Sequence, residues 1–216
     1  MTQGHPRFFS LEGVDGSGKT TQISLLVARL KASGRDAISI REPGGTAVSD
    51  RIRSLLLDPE NAIVPTAELL LYSAARAQLV SQVISPALSA GKVVIADRFG
   101  WSTMAYQGYG RGLDRDQIRV LFEIACGTIW PAHSFLLDIP VASMRARLAA
   151  DGRPADRMEN ENATFFERVR QGYLNIAHES PERFTILDGT LAQDVLHRAI
   201  VDKIEGWLLD SGKDKS

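Results

Sequence analysis

The chain has a single cysteine, Cys126, in 216 residues. One thiol forms no intrachain disulfide and no multi-cysteine zinc site, and it suits a reducing compartment. Long apolar runs are also missing. None approaches the ~18 residues of a membrane span, and the opening MTQGHPRFFSLEGVDG has no cleavable apolar segment, so the expectation is a cytoplasmic protein with no membrane partner. A basic excess is lacking too, with 25 Lys and Arg against 26 Asp and Glu for a net charge of −1, which argues against a dedicated nucleic-acid binder. Lysine itself is scarce, at 6 against 19 arginines. Guanidinium grips oxyanions two oxygens at a time, so the positions of the arginines carry weight. With 44% apolar residues, a chain of this length buries enough surface to fold as one domain without staples.

Strands and helices are expected in alternation. Phe8 to Glu12, Ala37 to Arg41, Val93 to Ala96, Ser134 to Leu137 and Phe184 to Leu187 read as five buried strands. Helical spacing fills the intervals: Thr20 to Ala32, a stretch marked by Val48, Ile52, Leu55 and Leu56, Pro65 to Ala90 with a kink or break at Pro86, Asp114 to Cys126, Val141 to Ala150, Ala163 to Glu179 and Leu191 to Asp210. This order implies an α/β fold of three layers, a five-stranded parallel sheet with helices on both faces and ligands beyond the carboxyl ends of the strands. A single domain spans 1–210, and 211–216 reads as a frayed tail.

Between the first strand and first helix lies GVDGSGKT, comprising Gly13, Val14, Asp15, Gly16, Ser17, Gly18, Lys19 and Thr20. It fits GxxxxGK[ST] in the strand–loop–helix context that the pattern requires. Its glycines let successive backbone NH groups face one anion at a helix N-terminus, Lys19 reaches the β and γ phosphates of a nucleotide such as ATP, and Thr20 offers a hydroxyl to Mg²⁺. In VVIADR, Asp97 and Arg98 stand where the buried strand emerges, and there the acid suits the metal and the arginine a second phosphate. Tyr72 and Arg76, four residues apart, share a helix face, and together present a ring and a guanidinium to one ligand.

These residues fall in an order that resembles bacterial thymidylate kinases: FFSLEGVDGSGKTTQ from Phe8, REPGGT from Arg41, RSLLL from Arg53, LLLYSAARAQL from Leu69 and DRFGWSTMAYQGYGRG from Asp97. The resemblance implies a P-loop kinase fold, phosphorylation of dTMP to dTDP with ATP and Mg²⁺, and a homodimer. Residue by residue it places Asp15 and Glu42 near the deoxyribose and its phosphate, Arg53 and Arg98 on that phosphate, and Tyr72 against thymine. Arg76 would bond a thymine carbonyl, Ser102, Thr103 and Gln107 would approach the base edge, and Tyr106 would fill the space of a ribose 2′-hydroxyl. Asp97 is expected near the metal. Residues 149–160 correspond to the family's mobile lid, with Arg153 as first candidate for a catalytic cation and Arg157 as second. Arg157 has the alternative of pairing with Asp156 or Glu161 on the surface, and Arg145 and Arg147 are weaker candidates. The family more often has phenylalanine where Tyr72 stands.

Two rival functions remain open at this level. A deoxynucleoside kinase would need a carboxylate base after the first strand, a role for Glu12 or Asp15. A nucleotide-binding switch would bind ATP without turnover.

Overall fold

The computed structural model describes residues 4–213. A five-stranded, all-parallel sheet runs in the order β2-β3-β1-β4-β5, with β1 at His5–Glu12, β2 at Ala37–Arg41, β3 at Val93–Asp97, β4 at Pro131–Asp138 and β5 at Phe184–Asp188. Alternate residues of each strand point to opposite faces, so consecutive apolar pairs feed two cores. Phe8, Val94 and Leu136 enter one core, and Phe9, Ile95 and Leu137 the other.

The second core is closed by α1 (Lys19–Ala32) and α9 (Gln193–Lys213), through Leu26, Leu30, Ile200 and Ile204. The first, larger core is covered mainly by α3 (Pro65–Leu79), α6 (Arg115–Cys126) and α8 (Ala163–Glu179). Shorter helices complete the chain: α2 (Ala47–Leu57), α4 (Ser85–Ser89), α5 (Gly100–Thr103) and α7 (Val141–Ala150). The three-layer arrangement agrees with the expected fold class. Local chemistry sets the helix starts: Thr46, Asp114 and Asn162 each accept a backbone NH from the first turn of α2, α6 and α8.

Three differences from the sequence reading have physical causes. The helical region from Pro65 does not break at Pro86. A π-helical stretch, Val80–Ile84, joins α3 to α4, and Pro86 sits in the first turn of α4, directly after that change of winding. Gly100 to Gly110, given no strand or helix in the sequence reading, is helical, ending in a π stretch at Met104–Gly110. Finally, α9 continues through Lys213, past the expected fray at Ser211, while 214–216 lie outside the described residues. Among the described residues, no helix is long and apolar enough to cross a membrane.

Packing is tightest where α5 meets α6. A methyl group on Gly100 would lie 1.7 Å from the Phe122 ring, which itself packs edge-on against Phe99. Gly100→Ala is therefore expected to lower stability by about 1–3 kcal/mol or more, read as a drop in the urea midpoint.

Candidate active site

The loops leaving β1 and β3, neighbours at the sheet centre, open into a cleft of about 690 Å³. Seven basic side chains line it against five acidic ones: Lys19 and six arginines face Asp15, Glu42, Asp97, Asp151 and Asp156. In a chain of net charge −1 this local excess marks a site for anions.

The phosphate loop approaches the backbone of β4 so closely that a Cβ on Gly13, at φ 131°, would meet the Leu137 carbonyl oxygen at 2.5 Å. Only glycine fits there. The Lys19 ammonium donates to the carbonyls of Gly13 and Val14, at 3.1 and 2.8 Å, and to Ser17 Oγ at 3.3 Å. Burial, and then the neighbouring Arg98 charge, lower its pKa to about 8. Thr20 Oγ1 donates to Asp97 Oδ2 at 2.8 Å, which brings two hard oxygen donors together at the loop's end.

Arg98 follows directly on β3. Its backbone adopts φ 69°, an unfavourable left-handed conformation for a side-chain-bearing residue, and its NH is tied to Leu11 O at 3.0 Å. The guanidinium then donates to Gly13 O, Asp15 Oδ1 and the hydroxyls of Tyr106 and Tyr173, at 2.7 to 3.2 Å. Burial opposes the Asp15 charge, but Arg98 and Lys19 outweigh it and bring its pKa down to about 2. Tyr106 OH also donates to Asp15 Oδ2 at 3.1 Å.

Below this network lies Glu12, fully buried, accepting from the Phe99 backbone NH at 3.0 Å and Ser102 Oγ at 2.7 Å. Burial raises its pKa to about 7. Tyr173 closes the network, 2.7 Å from Ser102 Oγ.

On the far wall Tyr72 is half-buried beside the cleft, and Arg76 is buried against Glu42 in a bidentate pair at 2.8 to 3.1 Å. Arg76 Nη2 reaches Thr103 Oγ1 at 2.7 Å. The partner that an arginine on this apolar face requires is thus a carboxylate. Arg53 donates to Pro43 O at 3.0 Å, and Gln107 Nε2 to Glu68 Oε1 at 2.8 Å.

The arginines of α7 and of the segment between α7 and α8 divide differently from expectation. Arg153 lines the cleft, with its half-exposed side chain paired to Glu159. Arg157 pairs with neither Asp156 nor Glu161 and is absent from the cleft lining. Its Nη2 meets the buried Glu68 at 2.7 Å and its Nε the Leu56 carbonyl at 2.6 Å, so it anchors the segment. Arg147 lines the cleft, donating to the carbonyls of Gly16 and Gly189 at 2.9 and 3.1 Å, whereas Arg145 turns to Glu161 O.

Sequence reasoning passed over Glu68, Arg111, Tyr173 and the cleft-lining Arg41. A signal for the first was present: Glu68, Tyr72 and Arg76 repeat at four-residue spacing on one helix.

The parallel sheet, the phosphate loop at its centre and the second cationic cluster opposite define a nucleoside monophosphate kinase of the P-loop class. A family model described as thymidylate kinase matches residues 11–200. The chain is 48% identical to a thymidylate kinase of Halothermothrix orenii, across 94% of this chain and 98% of the relative. It is 44% identical to one of Caldanaerobacter subterraneus subsp. tengcongensis, across 94% and 96%. A crystal structure of thymidylate kinase from Ehrlichia chaffeensis superposes with a TM-score of 0.75 at 32% identity, covering 94% of this chain and 99% of that one. The chain belongs to the thymidylate kinase family.

The raised Glu12 pKa has a consequence for stability. Folded Glu12 keeps its proton up to about 7, against 4.5 for the ordinary group, so between those values the folded state binds more protons than the unfolded one. Its contribution to stability therefore falls as the pH rises from about 4.5 to about 7. Urea midpoints measured across that window should fall less steeply in Glu12→Gln than in the parent.

Proposed function

We propose that the cleft transfers the terminal phosphoryl group of ATP to the 5′-phosphate of dTMP, giving dTDP. The observation that carries this reading is the state of the two carboxylates after β1. A hydroxyl acceptor needs a base, yet Glu12 is buried beneath Arg98 and outside the cleft lining, and Asp15, with a pKa of about 2 and bonds from Arg98 and Tyr106, is a poor one. A monophosphate brings a nucleophile already ionised near pH 7, its second pKa being about 6. What it needs is cations that bring two polyanions into line, and the cleft is rich in those.

In this reading the NH groups of Gly13 to Thr20 cradle the donor, and Lys19 moves from its carbonyl partners to the β and γ phosphates. Arg98 and Arg53 hold the acceptor phosphate, Asp15 fixes Arg98, and Asp15 and Glu42 lie near the deoxyribose and its phosphate. Tyr72 stacks on thymine, and its hydroxyl, absent from the phenylalanine usual in the family, faces water or polar groups. Arg76, Ser102, Thr103 and Gln107 meet the base edge, and Tyr106 crowds a 2′-hydroxyl.

Thr20 and Asp97 suit Mg²⁺, since this ion takes one or two protein oxygens and completes its shell with phosphates and water. When bound, it supplies charge neutralisation on the phosphates. The segment 149–160 acts as the lid, bringing Arg153 from Glu159 to the transferred group and excluding water.

We further read the enzyme as a homodimer. Val64 and Leu70 next to and on α3, and Val120 and Ile124 on the adjoining α6, are 51 to 75% exposed and form an apolar surface suited to a second copy. Its place is the cytoplasm, where both nucleotides are available, with no nucleic-acid or membrane partner.

The test is ADP release with ATP, Mg²⁺ and each common monophosphate, with thymidine as control. dTMP should be the preferred acceptor and thymidine inert. Turnover of thymidine, or of no pyrimidine monophosphate, would overturn the reading. Lys19→Ala should abolish turnover while the chain still folds cooperatively, since the ammonium lies outside the apolar cores and its loss leaves only the Gly13 and Val14 carbonyls and Ser17 without that donor. Arg153→Ala should lower kcat by roughly 10³-fold with little change in the KM for dTMP. Normal turnover there would remove Arg153 from the mechanism.

A further inference from the structure

Glu68 is a charged side chain with no exposed surface, adjoining the base wall without belonging to the cleft lining. Arg111 grips it through Nε and Nη2 at 3.1 and 3.0 Å, and Arg157 through Nη2 at 2.7 Å. Arg111 is itself held by Glu161, and Arg157 by the Leu56 carbonyl. Burial favours the protonated acid, but the bonds from Arg111, Gln107 and Arg157 more than offset it and hold the pKa below the ordinary value. The carboxylate is thus ionised and locked in place by two guanidiniums.

Its remaining bond is the one from Gln107 Nε2 at 2.8 Å. An ionised carboxylate only accepts, so the amide must present its NH₂ group to Glu68. The carbonyl oxygen Oε1 is then the atom of this amide available to the cleft that Gln107 lines.

We propose that Glu68 is the positioning residue that sets base preference, by committing the NH₂ side of the Gln107 amide to the protein and leaving a hydrogen-bond acceptor for the nucleobase. An acceptor there favours a pyrimidine carrying a ring N3–H, as in thymine or uracil. It disfavours cytosine, whose N3 carries a lone pair and would meet oxygen against nitrogen without a proton between them. The proposal rests on the reading of this wall as the pyrimidine site.

The experiment measures the affinities of dTMP and dCMP by calorimetry, and kcat/KM for each with ATP and Mg²⁺, in Glu68→Gln. A neutral amide at 68 both donates and accepts, so Gln107 is free to turn over. The preference for dTMP over dCMP should shrink by at least ~10-fold. Equal losses for both nucleotides would make Glu68 merely structural and overturn the proposal. Should Glu68→Gln fail to fold, Glu68→Asp retains the charge but draws it back from Gln107, and a preference unchanged in that variant overturns the proposal equally. In a Gln107→Met background neither change at 68 should alter preference further, and an additive loss would show that Glu68 does not act through Gln107. A parent protein that binds neither nucleotide would instead overturn the substrate reading on which the proposal stands.

Discussion

The cleft depends on how Arg98 is held. Its left-handed backbone turns the chain at the end of β3, and its guanidinium ties together the phosphate loop through Gly13, the Asp15 carboxylate, and the hydroxyls of Tyr106 and Tyr173. Those partners come from β1's loop, the π stretch and α8, elements distant from one another in sequence. An unpaired guanidinium in this position would be costly, because its desolvation would have no compensation. Paired as it is, it holds the phosphate loop against the walls that carry Tyr106 and Tyr173, and such preorganisation suits phosphoryl transfer.

The same economy recurs along the base wall. Arg76 and Glu42 neutralise each other, and Glu68 serves Arg111, Arg157 and Gln107 together. The first pair lines the cleft, while the second cluster lies behind it and reaches it through the Gln107 amide. Arg153, by contrast, has an exposed side chain and a partner within its own loop.

Much of this was legible in the chain alone. Strand β2 and helices α7 and α8 fall where hydrophobic spacing places them, because buried parallel strands and amphipathic helices leave their period in the sequence. The phosphate loop was legible for a similar reason, its glycines being demanded by backbone geometry. The buried partners were not. Nothing in the spacing of Arg157 tells that it reaches across to Glu68, and Glu12 looks like any residue at a strand end until Phe99 and Ser102 are seen on its oxygens. Long-range polar pairs follow from tertiary closure, and periodicity carries no trace of them. The helix from Gly100 was hidden for another reason: its glycines accommodate the rings of Phe122 and Phe165 and do not mark turns.

The π stretch at Val80–Ile84 lies just beyond Arg76 on one continuous helical axis. It amounts to one residue too many for the regular helical winding, with α4 docked on one side and the base wall on the other. Were that surplus residue lost, the helix would rewind and everything upstream would swing by about 100° around the axis, one residue's share of a turn. Tyr72 and Arg76 would then face the interior or the solvent, so the surplus acts as a phase-setter, and the length of this segment constrains the family of workable sequences as strictly as any side chain in it.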